Sequence, residues 1–244
     1  MNLATQILDA LRQDDFEPII TQLQIPILIA CQGIEQNQYH NETVYEHLML
    51  TAKALPADRP LLRLCGLFHD VGKPITKAGT GDICTFYNHE VKGARIAYEY
   101  MISVGFHYTD CQYVSRLVRH HMFRFEDVTK YKTIKKWYKN NKDIFEDLFL
   151  LRQADRAGNM IKKDRPRITS KMEELRQIIQ LIEQEPEPII LAISGDDLIR
   201  MNYQPGPLFR HVLGTLRKRV ENEELPNDRE VLLTEMAILL QENH

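Results

Sequence analysis

Apolar residues return every three to four positions through most of the chain, and this period, close to the 3.6 residues of a helical turn, restricts the fold to an all-α one. Val44, Leu48 and Leu55 mark one helix after Thr43; Leu61, Leu64, Cys65 and Phe68 mark the next, which Gly72 and Pro74 bring to a stop. Residues 75–87, ITKAGTGDICTFY, carry two glycines and mixed polarity, so they read as a loop with room for a small hairpin. Asn88 is placed to cap a helix reaching Met101, and Thr109 one reaching Met122, because short polar side chains satisfy the free amides of a first turn. Asp143 with Glu146, and Ser170 with Glu173, have capping-box spacing and open helices over 144–157 and 171–185. EQEPEPII breaks the chain at 186–188, and NDRE at 227–230 caps a last helix. The expected organisation is a helical-bundle domain over 1–185 and a small helical subdomain over 189–244.

The 244 residues, 43% hydrophobic and 27% charged, suffice for one domain of ordinary size with an extension and a real core. The longest apolar run, IPILIA at 25–30, is too short to span a bilayer and reads as core, so no membrane association is expected. MNLATQILDALRQDD has no basic patch followed by an apolar stretch, which predicts a cytoplasmic chain without an export signal. Cys31, Cys65, Cys84 and Cys111 lie far apart with no C-x-x-C, which argues against a zinc knuckle or a disulfide framework and for reduced packing residues.

The net charge of −3 hides an asymmetry. Between Gln112 and Lys171 stand 16 Lys or Arg against 7 Asp or Glu, a local +9 that leaves −12 elsewhere. Such a stretch attracts phosphates through its local field, or else is a set of solvated helix faces. Tyr113, Tyr131, Trp137 and Tyr138 within it are available either for stacking on bases or for helix packing.

A second pattern concerns chemistry. His47 lies in TVYEHLML, His69 and Asp70 in LCGLFHDVGKP, His89 in FYNHEVKGA, His120 and His121 in RLVRHHMF, and Asp155 in LRQADRAGN, each near a predicted helix end or on an apolar helix. Buried imidazoles and carboxylates are costly unless paired or metal-bound. Taken singly each has a packing explanation; as an ordered set, H…HD…H…HH…D, they are candidate ligands. Imidazole mixed with carboxylate suits Mn, Fe, Co, Ni or Zn, with Mg a further option, rather than Ca. Seven ligands exceed the needs of one open site, so two ions would divide them: His47, His69, Asp70 and Asp155 around the first, Asp70, His89, His120 and His121 around the second.

That order of residues resembles the HD superfamily of metal-dependent phosphohydrolases. LLRLCGLFHDVGKPITK, FYNHEVKGARIA, VSRLVRHHM and LRQADRAGN, followed by ISGDDLIRMNYQPGPLFRHVLGTL and LPNDREVLL, are similar to the HD and tail region of bacterial CCA-adding enzymes and poly(A) polymerases, over roughly 37–235. The resemblance implies an HD-domain bundle with a C-terminal helical tail. The nucleotidyltransferase head of that family, with its Gly-rich turn and paired D-x-D carboxylates, has no counterpart here, since the chain contains neither Gly-Gly nor D-x-D. What the resemblance implies is therefore the HD activity: a 2′,3′-cyclic phosphodiesterase, 2′-nucleotidase or phosphatase acting on nucleotide or RNA 2′/3′-phosphate ends, with tRNA as a further partner and water activated by the metal as nucleophile. Asp70 and Lys73 are the catalytic candidates, Lys73 as a phosphate clamp against the alternative of a solvated turn lysine. Arg119 and Arg156 have the same option with nothing to separate them from surface arginines, and His40 is as well suited to a cap or a supporting role as to ligation. Two other readings stay open: a non-catalytic RNA-binding helical module, and a hydrolase of dinucleoside polyphosphates or nucleoside monophosphates. Oligomeric state is unassigned.

Overall fold

A computed structural model describes residues 2–123, 125, 129–159, 166–187 and 189–242. The fold is all-α. Its helices are α1 (Leu3–Leu11), α2 (Glu17–Gln22), α3 (Pro26–Ile29), α4 (Val44–Lys53), α5 (Pro60–Phe68), α6 (Lys73–Thr76) and α7 (His89–Ser103). These are followed by α8 (Tyr108–His120), α9 (Tyr131–Asn141), α10 (Phe145–Gly158), α11 (Pro166–Gln184), α12 (Gly195–Arg200), α13 (Pro207–Glu221) and α14 (Arg229–Glu242). The chain divides into two compact units, residues 1–179 and 180–244, with the boundary inside α11. Among the described residues no helix is long and apolar enough to cross a membrane.

The first unit is organised around α5. Every residue from Leu62 to Phe68 is buried, and α1, α4, α8 and α10 pack against this helix. A helix enclosed on all sides ends in the interior, so the residues that follow Phe68 are buried whatever their polarity. Even Arg63 is accommodated: its guanidinium donates to the carbonyls of Leu55 (2.8 Å), Leu11 (3.0 Å) and Gln13 (2.7 Å), which satisfies a charge that burial would otherwise make costly.

α4 begins with a capping box, the Thr43 hydroxyl accepting from the Glu46 N–H and the Glu46 carboxylate from the Thr43 N–H. It buries Val44, His47, Leu48, Thr51 and Ala52, a stripe at helical spacing that places His47 on the same face as the aliphatic residues. Two glycines set how closely the elements approach this helix and α7. A Cβ at Gly72 would stand 2.1 Å from the His89 carbonyl oxygen, and one at Gly158 would stand 2.6 Å from the Thr51 hydroxyl; no side chain fits at either position.

Several expected boundaries shift. Asn88 does precede α7, but in the left-handed region (φ 62°) and with no capping hydrogen bond from its side chain. α8 is capped by His107, whose Nδ1 accepts from the Thr109 N–H, so Thr109 is inside the helix. Asp143 does not cap α10, which follows a short 3₁₀ turn; its carboxylate is held instead by the Arg116 guanidinium at 2.6 and 2.9 Å. α11 begins at Pro166, ahead of Ser170. In the 75–87 stretch, α6 takes the first residues, and Ala78 and Thr85 form an isolated antiparallel bridge around the turn Gly81–Ile83. All four cysteines are free and buried.

The second unit has its own core, formed by Leu198, Val212, Leu216, Leu232 and Met236. The start of α14 is capped by the Asp228 carboxylate, which accepts from the N–H groups of Glu230 (3.0 Å) and Val231 (3.1 Å).

Candidate metal centre

His69 stands at the C-cap of α5, and Asp70 follows it into the interior. His89 is the first residue of α7, His121 the C-cap of α8, and Asp155 lies one turn before the end of α10. The ends of four helices and the buried stripe of α4 therefore meet at one point.

Asp70 is the pivot. Its Oδ2 lies 3.3 Å from His69 Nε2, 3.8 Å from His47 Nε2 and 2.6 Å from Lys73 Nζ; its Oδ1 lies 3.1 Å from His89 Nε2 and 3.6 Å from His121 Nε2. Asp155 Oδ1 closes the first side, 3.0 Å from His47 Nε2 and 3.8 Å from His69 Nε2. Among the described residues three groups of potential ligand atoms result, His47–His69–Asp70 and Asp70–His89–His121 around Asp70 and His40–Glu42–His47 behind His47, each with its atoms within 4.8 Å of one another. Of the adjacent histidines only His121 joins a group. His120 is half-buried and joins none among the described residues, since neighbouring residues on a helix point about 100° apart.

The rear nitrogens explain the convergence. Nδ1 of His69 faces the Gly66 carbonyl at 2.8 Å, that of His89 the Phe86 carbonyl at 2.7 Å, and that of His121 the Val118 carbonyl at 2.7 Å, each three residues earlier in the chain. A carbonyl only accepts, so these partners assign the ring proton to Nδ1 and leave a bare lone pair on Nε2. His47 Nδ1 has the Gly158 carbonyl at 3.3 Å. The Nε2 atoms of His47 and His69 stand 3.2 Å apart, His47 Nε2 also facing Asp155 Oδ1 at 3.0 Å, and among the described residues the buried Nε2 atoms of His89 and His121 find no well-aligned hydrogen-bond partner, with Asp70 Oδ1 3.1 and 3.6 Å away. Such an arrangement is repulsive unless a cation sits among the donors, and imidazole nitrogens with carboxylate oxygens suit a divalent transition metal.

The electrostatics agree. Burial pushes Asp70 and Asp155 upward, yet Lys73 and His69 hold Asp70, and His47 and Arg152 hold Asp155, well below the usual carboxylate range. His47 is pulled down by burial but raised to about 9 by Asp155 and Glu42. His89 rises through Asp70 against its own burial, whereas burial and the neighbouring His69 and His89 lower His121 despite Asp70. The buried carboxylates draw positive charge to the centre, which raises His47 and His89 toward the charged form.

Lys73 is buried, not a solvated turn lysine: its ammonium donates to Gln36 Oε1 at 2.6 Å as well as pairing with Asp70, and lies 5.4 Å from the Phe86 ring centre. Arg119 is half exposed with Glu90 at 3.6 Å, and Arg156 lies in the last turn of α10. His40 does not reach the two groups around Asp70; its Nδ1 faces Glu42 Oε1 at 2.7 Å, behind His47. Gln36, Glu42, Gly158 and Asn159 are supporting residues that sequence reasoning missed. The only sequence signal for them was adjacency, Glu42 to the Thr43 cap and Gly158–Asn159 to the Asp155 motif.

The HD domain family model matches residues 38–160, half of the chain. A CC-adding tRNA nucleotidyltransferase of Thermus thermophilus is 28% identical over 191 residues, covering 75% of this chain and 42% of that protein. An A-adding tRNA nucleotidyltransferase of Deinococcus radiodurans is 26% identical over 208 residues, covering 81% of this chain and 47% of that protein. The chain thus spans less than half the length of these curated relatives. The matched residues contain every histidine and aspartate that meets at Asp70, and the chain belongs to the HD domain family, within the superfamily of metal-dependent phosphohydrolases.

Proposed function

We propose that the chain is a metal-dependent hydrolase of phosphoesters on nucleotides or RNA ends, with 2′,3′-cyclic phosphates and 2′-phosphates as the preferred class. The observation that carries this reading is a single buried carboxylate, Asp70, with two histidine groups aimed at its two oxygens and their protons turned away. His47, His69, Asp70 and Asp155 would hold one ion, and Asp70, His89 and His121 a second. The chemistry a divalent cation brings to such a centre is Lewis acidity and the acidification of water toward a pKa of about 7. Asp70 and Asp155 keep their negative charge, which fixes the imidazoles around them. The Lys73 ammonium has three N–H donors; two are directed to Asp70 and Gln36, and the third is left for a phosphoryl oxygen as charge builds on it.

The test is hydrolysis of 2′,3′-cyclic AMP, 2′-AMP and p-nitrophenyl phosphate with Mn²⁺, Ni²⁺, Co²⁺ or Zn²⁺ added, by the parent and by Asp70→Ala. Activity in the parent that is lost in the variant supports the reading; equal rates in both end it. One observation favours RNA over mononucleotides as the physiological substrate, with tRNA the candidate suggested by the relatives. α9 carries Lys132 and Lys136 on its exposed side, where they line an open cavity of about 460 Å³ with Thr133, Trp137 and Asn140. Binding that touches several RNA phosphates weakens steeply with added salt, whereas a nucleoside monophosphate or dinucleoside polyphosphate responds little.

A further inference from the structure

The segment before α4, residues 36–42 (QNQYHNE), forms a bracket behind the metal centre. Gln36 connects both flanks of Asp70: its Oε1 accepts from Lys73, and its Nε2 donates to the Glu42 carbonyl at 3.2 Å and lies 3.1 Å from His40 Nδ1. Asn159, at the end of the helix that carries Asp155, donates to the Tyr39 carbonyl at 3.0 Å and pins the same segment from the other side. Within this bracket Glu42 is 4% exposed and has no Lys or Arg against its carboxylate among the ion pairs of the described residues. Its Oε1 instead lies 2.7 Å from His40 Nδ1 and 3.5 Å from His47 Nδ1, and its Oε2 accepts from the Asn41 N–H at 3.2 Å.

A buried carboxylate without a strong cation beside it is costly, so its placement calls for a reason. The reason lies in His47. The other three imidazoles around Asp70 rest their Nδ1 on a carbonyl of the same chain segment, three residues back. His47 sits in the middle of α4, where the carbonyls of its own helix are already engaged. Its Nδ1 hydrogen-bonds the Gly158 carbonyl at 3.3 Å, 111 residues away, and has the Glu42 carboxylate next to it at 3.5 Å. We infer that Glu42 is a positioning residue of the metal centre: it accepts from the His47 Nδ1–H, fixes the ring plane and tautomer, and makes Nε2 a stronger donor to a divalent cation that Glu42 itself never touches. The inference rests on the metal-centre reading above. A carboxylate on the far nitrogen of a histidine ligand is worth on the order of 10–100-fold in metal affinity.

The experiment titrates Mn²⁺ into the 244-residue chain in competition with a chelator, for the parent, Glu42→Gln and Glu42→Asp, with thermal unfolding of each followed by circular dichroism. Glu42→Gln, which keeps shape and removes charge, is expected to bind Mn²⁺ about 10–100-fold more weakly, and Glu42→Asp to recover part of the loss. In Co²⁺-loaded protein the exchangeable, paramagnetically shifted ring N–H signal of His47 is expected to move in Glu42→Gln, which a purely structural role would not require. Mn²⁺ affinity and a His47 signal equal to the parent's in both variants overturn the inference and leave the metal centre standing. A parent that binds no Mn²⁺ overturns the metal centre as well. If Glu42→Gln does not fold, Glu42→Asp carries the test alone: weaker Mn²⁺ binding with a displaced His47 N–H signal supports the inference, and affinity and signal equal to the parent's overturn it.

Discussion

Asp70 in the first unit and Asp197 in the second have the same small solvent contact, 3% and 4% exposed, but Asp70 lies deep in its unit and Asp197 under a thin layer of side chains, and their surroundings are opposites. Asp197 is answered at every side by a donor: its Oδ1 accepts from Arg200 at 3.0 Å and from Arg229, and its Oδ2 from the Ser194 N–H at 2.9 Å and from Arg229 at 3.3 Å. Two guanidiniums and a capping box balance one carboxylate, and the result locks the start of α12 to the start of α14. Around Asp70, Lys73 is the one Lys or Arg paired with it among the described residues, and its other ion-pair neighbours are imidazole nitrogens, of which His69, His89 and His121 turn their Nδ1 to backbone carbonyls. Low solvent exposure alone therefore does not separate a structural carboxylate from a functional one. What separates them is whether the facing atoms carry protons or lone pairs.

Substitutions at the two aspartates sharpen this contrast. The largest effect is expected for Asp70→Ala: metal-dependent hydrolysis falls by on the order of 10³-fold and metal content is lost, whereas Asp197→Ala keeps both in protein that remains folded. Next comes the histidine pair. His121→Ala is expected to lower activity and Mn²⁺ affinity by about 10–100-fold, and His120→Ala to have a clearly smaller effect; equal losses would break the assignment of the second ligand group. Mn²⁺ at about 100 times its Kd should stabilise the parent by about 2.7 kcal/mol in equilibrium denaturation, with no gain in Asp70→Ala and the full gain in Asp197→Ala. Asp197→Ala itself should cost about 1–3 kcal/mol, because Arg229 and the Ser194 N–H lose a buried acceptor.

The smallest effect concerns pH. Hydrogen bonds from Arg229 and Ser194 lower Asp197 from the ordinary 3.8 to about 2. A carboxyl lowered by folding stabilises the native state fully above its unfolded value and loses that contribution as pH falls through the folded one. The stability difference between the parent and Asp197→Asn should therefore be constant near neutral pH and shrink as pH drops from about 4 toward 2, as read from denaturant midpoints.

The helices and the histidines and aspartates that meet around Asp70 were legible because both are written in short-range pattern: period 3.6 in the apolar residues, and histidines or aspartates beside helix ends. Caps were less legible. Asp143 has a capping residue's chemistry and spacing, but Arg116, 27 positions away, takes its carboxylate; a tertiary ion pair outweighs a local preference. His107 serves as the cap that Thr109 was expected to be, since an imidazole nitrogen can accept from an N–H as a hydroxyl does. The bracket behind His47 left no sequence signal beyond adjacency to the Thr43 cap and the Asp155 motif. Asn159 reaches Tyr39 across 120 residues and His47 reaches Gly158 across 111, and no local spacing encodes such a meeting. His120 and His121 were indistinguishable as letters; the direction of each ring is set by where α8 ends.

The central claim is that the six side chains of His47, His69, Asp70, His89, His121 and Asp155 converge to hold divalent cation. Anomalous diffraction from crystals of the 244-residue chain grown with Mn²⁺ tests it most directly. The account predicts anomalous density against the Asp70 carboxylate, bounded by the Nε2 atoms of these histidines and absent in Asp70→Ala crystals. Density confined to other parts of the protein, with the histidine Nε2 atoms bonded to water or to one another, would contradict it.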